Sequence, residues 1–147
     1  VDPFSRIEII KFGRLLHGPD GRSRMRHPDQ AEVLAAVRRH YETLRKYARE
    51  TSARVTSAGW LLDTARCLYT LESFDIIAKT KAGERALREG LTPAPDVLRR
   101  ALQVRENPTK YQADEATLRW LGSLGPHVQR FADVLEQRLR AFPERAE

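Results

Sequence analysis

With 147 residues, 41% of them hydrophobic and 31% charged, the chain is long enough for one domain that removes roughly 65–70% of its unfolded surface from water, and too apolar for a disordered tail. A single cysteine, Cys67, excludes a disulfide framework and fits a reducing compartment. The mean hydropathy of −0.56, with no apolar run approaching about twenty residues and no signal-peptide pattern, excludes a membrane bundle and makes the cytoplasm the expected address.

Twenty-six Lys and Arg against twenty Asp and Glu leave a net charge of +6, which favours anionic partners such as nucleotides or nucleic acid. The opening Val1-Asp-Pro-Phe4 has no initiator methionine, and the only methionine is Met25; a piece of a longer protein is therefore expected. Arg6 to Leu16 is β-branched and aromatic in its first half and runs into the breaker cluster His17-Gly-Pro-Asp-Gly21. It reads as a strand or short helix with no partner strand elsewhere, hence as an extended arm or as part of a sheet in an upstream domain. Residues 1–28 are accordingly expected to be arm or linker and 29–147 a helical domain.

From Asp29 the pattern turns helical. A capping-box-like Asp29-x-x-Glu32 precedes Val33, Leu34, Val37, Tyr41, Leu44 and Ala48, predicting a helix to about Glu50. The next, from about Val55 to Glu72, carries Leu61, Leu62, Ala65 and Leu68 on one side and Trp60, Cys67 and Leu71 on another, so it should be central. A third spans about Thr80 to Glu89, stopped by Gly90; a fourth starts around Thr92, Pro93 and Pro95 and ends before Asn107-Pro108. A last stretch from about Asp114 to Leu139 must kink or break at Gly125-Pro126. The fold class is all-α: an antiparallel bundle of about five helices with an N-terminal extended arm.

Little of the usual catalytic chemistry is written in this pattern. His17, His27, His40 and His127 are scattered, none with a second ligand at helical or zinc-finger spacing, so no metal site is expected. Cys67 lies inside the most apolar helix with no histidine near it in sequence, the setting of an inert thiol. Arg22-x4-His27 fits the spacing of the HEPN ribonucleases but falls in a Gly/Pro-bounded loop, where a solvated loop is the simpler reading.

More informative is Lys79-Thr-Lys81 at the start of the third predicted helix. Cations there oppose the helix dipole, and beside free N–H groups they also make an anion site. Two screened, exposed lysines are the plain alternative. On the central helix, Asp63, Arg66 and Thr70 form a polar stripe. Asp63 and Arg66 are either an ordinary i,i+3 pair or an arginine held by a carboxylate and aimed at a phosphate.

The stretch Trp60 to Leu87 resembles the C-terminal helical domain of the aminoglycoside (streptomycin and spectinomycin) adenylyltransferases. Arg66, Tyr69, Ile76, Lys79 and Ala86 fall in register with that family's hydrophobic helix, turn, lysine and Ala-rich helix. Gly13 to Pro19 resembles the segment leaving the family's nucleotidyltransferase core. The resemblance implies that Arg66 and Lys79 reach the nucleotide triphosphate, and an ungapped alignment puts Arg105 where the family has a tyrosine contacting the adenine. It also implies ATP with Mg²⁺ in a full-length parent, held by an N-terminal catalytic core with a Gly-Ser and an Asp-x-Asp. This chain has no Asp-x-Asp, and its one Gly-Ser, Gly122-Ser123, leads only to Leu-Gly-Pro.

The resemblance thus implies a nucleotide- and acceptor-binding domain, inactive without its core, whose partners are that core, the nucleotide and a small-molecule acceptor. Where the drug-modifying members carry acidic residues for the cationic aminoglycoside, this chain has Ser52, Thr56 and Gly59. The competing expectation is a non-enzymatic basic helical module that binds nucleic acid or a partner protein.

Overall fold

In a computed structural model, which describes residues 2–143, the chain folds into α-helices and two short 3-10 turns, with no strand among the described residues. The last four positions of the expected helical domain lie outside that range. The first helix, α1 (Pro3–Phe12), occupies part of the segment expected to be an extended arm. Asp2 caps it, accepting hydrogen bonds from the backbone N–H of Phe4 and Ser5, and Pro3 fits the first turn. Phe4 and Ile7, three positions apart, are buried. That cap and buried pair override the strand preference of the isoleucines. Gly13 ends the helix, and a Cβ there would stand 2.5 Å from the Ile9 carbonyl oxygen.

An irregular stretch leads on from Gly13, exposing Leu15 and Leu16 and making one 3-10 turn at Arg22–Arg24. Asp29 then caps α2 (Gln30–Tyr47), accepting from the Glu32 N–H at 2.8 Å. The Glu32 carboxylate, reached in turn by the Asp29 backbone N–H, also takes Arg6 at 3.2 Å and Arg26 at 2.5 Å, tying α1 to the start of α2.

After a second 3-10 turn (Val55–Ser57) comes α3 (Ala58–Ser73). It is the axis of the bundle, in contact with α2, α4, α5 and α8. Burial of Leu61, Leu62, Ala65, Leu68, Cys67 and Leu71 on both its faces is the direct result. Phe74 leaves it in the left-handed conformation at φ 54°, and the chain returns as α4 (Lys79–Arg88). Gly83 lets α4 approach closely, since a Cβ there would fall 2.8 Å from Leu62 and 2.9 Å from Leu102. Gly90 stops α4 at φ 65°, with the Leu91 N–H bonded back to the Ala86 carbonyl at 2.9 Å.

Helix α5 (Pro95–Glu106) matches its expected limits, whereas the single turn α6 (Pro108–Tyr111) has no counterpart among the predicted elements. The last stretch divides into α7 (Glu115–Leu121), capped by Asp114, and α8 (Gly125–Leu139), so Pro126 opens a helix and does not kink one. At the break a Cβ on Gly125 would sit 1.9 Å from the Arg49 carbonyl oxygen. Among the described residues no helix is long and apolar enough to cross a membrane.

Candidate functional site

Asp63, on the second turn of α3, is the hub of a half-buried polar cluster built from four helices. Its Oδ1 accepts a hydrogen bond from Arg66 Nη2 at 3.0 Å and lies 3.9 Å from Lys79 Nζ, while its Oδ2 accepts from His40 Nδ1 at 2.9 Å. Arg66 is one turn further along α3, Lys79 opens α4, and His40 comes from α2. From α1, Glu8 reaches Arg66 Nη1 at 3.4 Å, and the Phe4 ring covers the guanidinium at 5.1 Å. Phe4 also packs edge-on against the His40 ring at 4.4 Å.

The electrostatics reflect this crowding. Burial pushes the Asp63 carboxyl up, but the His40 hydrogen bond and the charges of His40, Arg66 and Lys79 outweigh it and hold the group below the usual carboxylate range. Burial is the largest influence on Lys79 too. It lowers the ammonium against the pull of Asp63, helped by the nearby positive charges of Arg66 and Arg105. Arg105, exposed on α5, is therefore on the same side of the bundle, within electrostatic range of Lys79 though not bonded to Asp63. The Cys67 thiol is pushed up, first by burial and then by Asp63.

The two lysines singled out in sequence diverge. Lys79 turns inward, with its side chain 31% exposed, whereas Lys81 is 71% exposed and pairs with Glu84 at 3.7 Å. Arg66 and Lys79 do converge, because the turn after Phe74 brings the mouth of α4 back alongside α3. One nitrogen of this cluster is left over: Arg66 Nε is buried and makes no hydrogen bond. At the start of α4 no side chain caps the backbone N–H groups either.

Sequence spacing could not supply the third dimension. His40 lies beside Asp63 and Cys67, so Cys67 does have a histidine next to it in space, and the donor atoms of these three residues all fall within 4.8 Å of one another. The signal for His40 is that it interrupts the apolar stripe of α2, between Val37 and Leu44. Glu8 and Phe4 were hidden in a segment not expected to pack here. Arg22 and His27, by contrast, are engaged locally, Arg22 by Asp20 and the Gly13 carbonyl and His27 by the Pro28 carbonyl at 2.9 Å. Ser52 is exposed and shares a hydrogen bond with Ser57 in the loop before α3, with Thr56 exposed nearby.

No family model, curated protein or solved structure matches this chain.

Proposed function

We propose that this chain is the helical, nucleotide- and acceptor-binding part of an aminoglycoside adenylyltransferase-like nucleotidyltransferase, acting with a catalytic core that it does not itself carry. The observation that supports the reading best is the convergence of Arg66 and Lys79 on one face, with the Arg66 Nε left without a partner. A guanidinium offers a planar set of donors and an ammonium a compact charge, together suited to the oxygens of a triphosphate. The uncapped N–H groups at the mouth of α4 add donors on the same side.

Asp63 has a positioning role in this scheme. It holds the guanidinium in place and offsets part of the local positive charge, so that the cluster is stable before an anion arrives. The α1 carboxylate of Glu8, at 3.4 Å, is the weaker partner of Arg66, and an incoming phosphate oxygen would replace it. Arg105 would stack on the base or meet the outer phosphates. By the resemblance, Mg²⁺ and the catalytic carboxylates belong to the core. The cytoplasm, where ATP is plentiful, is the compartment that suits this reading.

The test is the protein encoded when the reading frame is followed upstream of Val1. A core with a Gly-Ser and an Asp-x-Asp that transfers adenylate from ATP, with a loss on the order of tenfold to a hundredfold for Arg66→Ala or Lys79→Ala, supports the proposal. An upstream sequence with no such core contradicts it. The second reading, a binding module for nucleic acid or a protein, draws on the exposed Phe12, Leu15 and Leu16 and on the net charge of +6. For nucleic acid it requires binding that weakens steeply with salt, and for either partner no preference for a triphosphate.

A further inference from the structure

We propose that His40, Asp63 and Cys67 form a binding site for a divalent transition-metal ion of the zinc class. The three side chains present an imidazole nitrogen, a carboxylate oxygen and a sulfur, the donor types that zinc takes. Asp63 and Cys67 stand one turn apart on α3, and His40 faces them from α2, with all three donor atoms within 4.8 Å of one another. A tetrahedral ion with bonds of about 2.0–2.3 Å needs donors roughly 3.3–3.8 Å apart. Side-chain torsions supply the difference: the His40–Asp63 pair, now at 2.9 Å, opens slightly, and the pairs with Cys67 start from within 4.8 Å.

The surroundings are organised as a metal site's are. Arg66 and Lys79 occupy Asp63 Oδ1, which leaves Oδ2 as the oxygen facing His40 and restrains the carboxylate from behind. The Phe4 ring restrains the imidazole. The side chain of His40 is 29% exposed, which gives the ion its way in, and Cys67 closes the site from the core side. On binding, the metal–sulfur bond forms as the S–H bond breaks, and the proton leaves to solvent. The Nδ1 hydrogen of His40, which bonds to Asp63 in the free protein, is given up as the metal–nitrogen bond forms and passes to solvent, or to Nε2 where that nitrogen is bare, so the bound imidazole carries its one proton on Nε2.

Charge decides which metals can enter. The two adjacent cations repel any dication, and only an ion that draws a thiolate out of Cys67 gains a compensating negative charge at the site. Mg²⁺ and Ca²⁺, which prefer oxygen and do not bind sulfur, lack that compensation. This inference does not depend on the nucleotide reading, since it uses the opposite oxygen of Asp63 and needs no phosphate.

The experiment is titration of the purified, reduced chain with Co²⁺, then with Zn²⁺ against a chromophoric chelator. The expected result is one equivalent of Co²⁺ giving a thiolate-to-cobalt charge-transfer band with the strong visible bands of tetrahedral coordination, displaced by Zn²⁺ and untouched by excess Mg²⁺. Cys67→Ser should abolish the charge-transfer band, and His40→Ala should weaken zinc binding on the order of tenfold or more. A folded wild-type chain that gives no such band overturns the proposal, without recourse to any variant. So does zinc affinity that is the same in Cys67→Ser. Triphosphate binding measured on the metal-free chain reports separately on Arg66 and Lys79, so failure of one idea leaves the other distinguishable.

Discussion

Lys79 Nζ stands 3.9 Å from the same Asp63 oxygen that accepts a hydrogen bond from Arg66 at 3.0 Å. Two cations from separate helices thus share one atom of a largely buried carboxylate, and the arrangement lasts only while each side chain keeps its counter-charge. The consequences for the three residues differ in sign and size.

Replacing Lys79 costs least. Its folded-state ammonium is held below its ordinary value, chiefly by burial, so at neutral pH the folded chain gives up free energy to keep it charged. Because the unfolded state then binds more protons in alkaline solution, stability from this group rises as pH climbs through its folded value toward its ordinary one of 10.5. Lys79→Met should leave urea-unfolding stability at pH 7 unchanged or raise it by less than about 1 kcal/mol, while triphosphate binding falls.

Arg66→Ala goes the other way. Its side chain is 11% exposed and is the closest partner of Asp63 on Oδ1, and its removal also uncovers Phe4. With His40 and Lys79 still in place, the loss should be about 2–3 kcal/mol, below the full cost of stranding a buried charge. Urea denaturation checks it, and Arg66→Lys should recover only part of the loss, since an ammonium cannot reproduce the planar donor set.

Acid unfolding should report Asp63. Its carboxyl lies below its ordinary value of 3.8 in the folded state, so the stability it contributes is fully present above that value and is lost as pH falls through the folded one. Asp63→Asn should therefore be less stable than the parent at pH 6 and unfold with a shallower dependence on pH below about 4. Equal acid slopes for the two proteins would mean that Asp63 does not hold this cluster together.

Gly125 tests the packing between the α2–α3 loop and α8. A methyl group there meets the backbone carbonyl of Arg49 at 1.9 Å, which no side-chain rotation relieves. Gly125→Ala should cost about 3 kcal/mol. Gly83→Ala, which meets only the side chains of Leu62 and Leu102, should cost less, within about 1–3 kcal/mol. Thermal unfolding of the two variants ranks them.

The helices from α2 to α5 were legible because their caps, breakers and apolar periodicity are local: Asp29, Gly90 and Pro95 each act within a turn of their own position. The N-terminal segment was harder, since its isoleucines favour a strand in isolation and only burial of Phe4 and Ile7 against the bundle selects a helix. In the site, the i,i+3 pairing of Asp63 and Arg66 could be read from spacing. His40 could not, because it reaches Asp63 across 23 positions of sequence, and nothing in α2 alone says which neighbour will meet it. Glu8 depends on the same packing of α1 that the strand preference concealed.

A phosphate site at Arg66 and Lys79 is tested most directly by titrating the metal-free chain with tripolyphosphate, with the backbone amides of α3 and α4 and the Arg66 Nε–H observed by NMR. Saturable shifts confined to the neighbourhood of Arg66 and the first turn of α4 are expected, with a dissociation constant in the millimolar range, corresponding to about 4 kcal/mol. Lys79→Ala and Arg66→Ala should each weaken binding about tenfold or more, and Glu8→Gln, which removes the competing carboxylate from Arg66, should strengthen it. Shifts spread evenly over the exposed lysines and arginines of the chain, or binding equal in the wild type and in both cation variants, would contradict a phosphate site at Arg66 and Lys79.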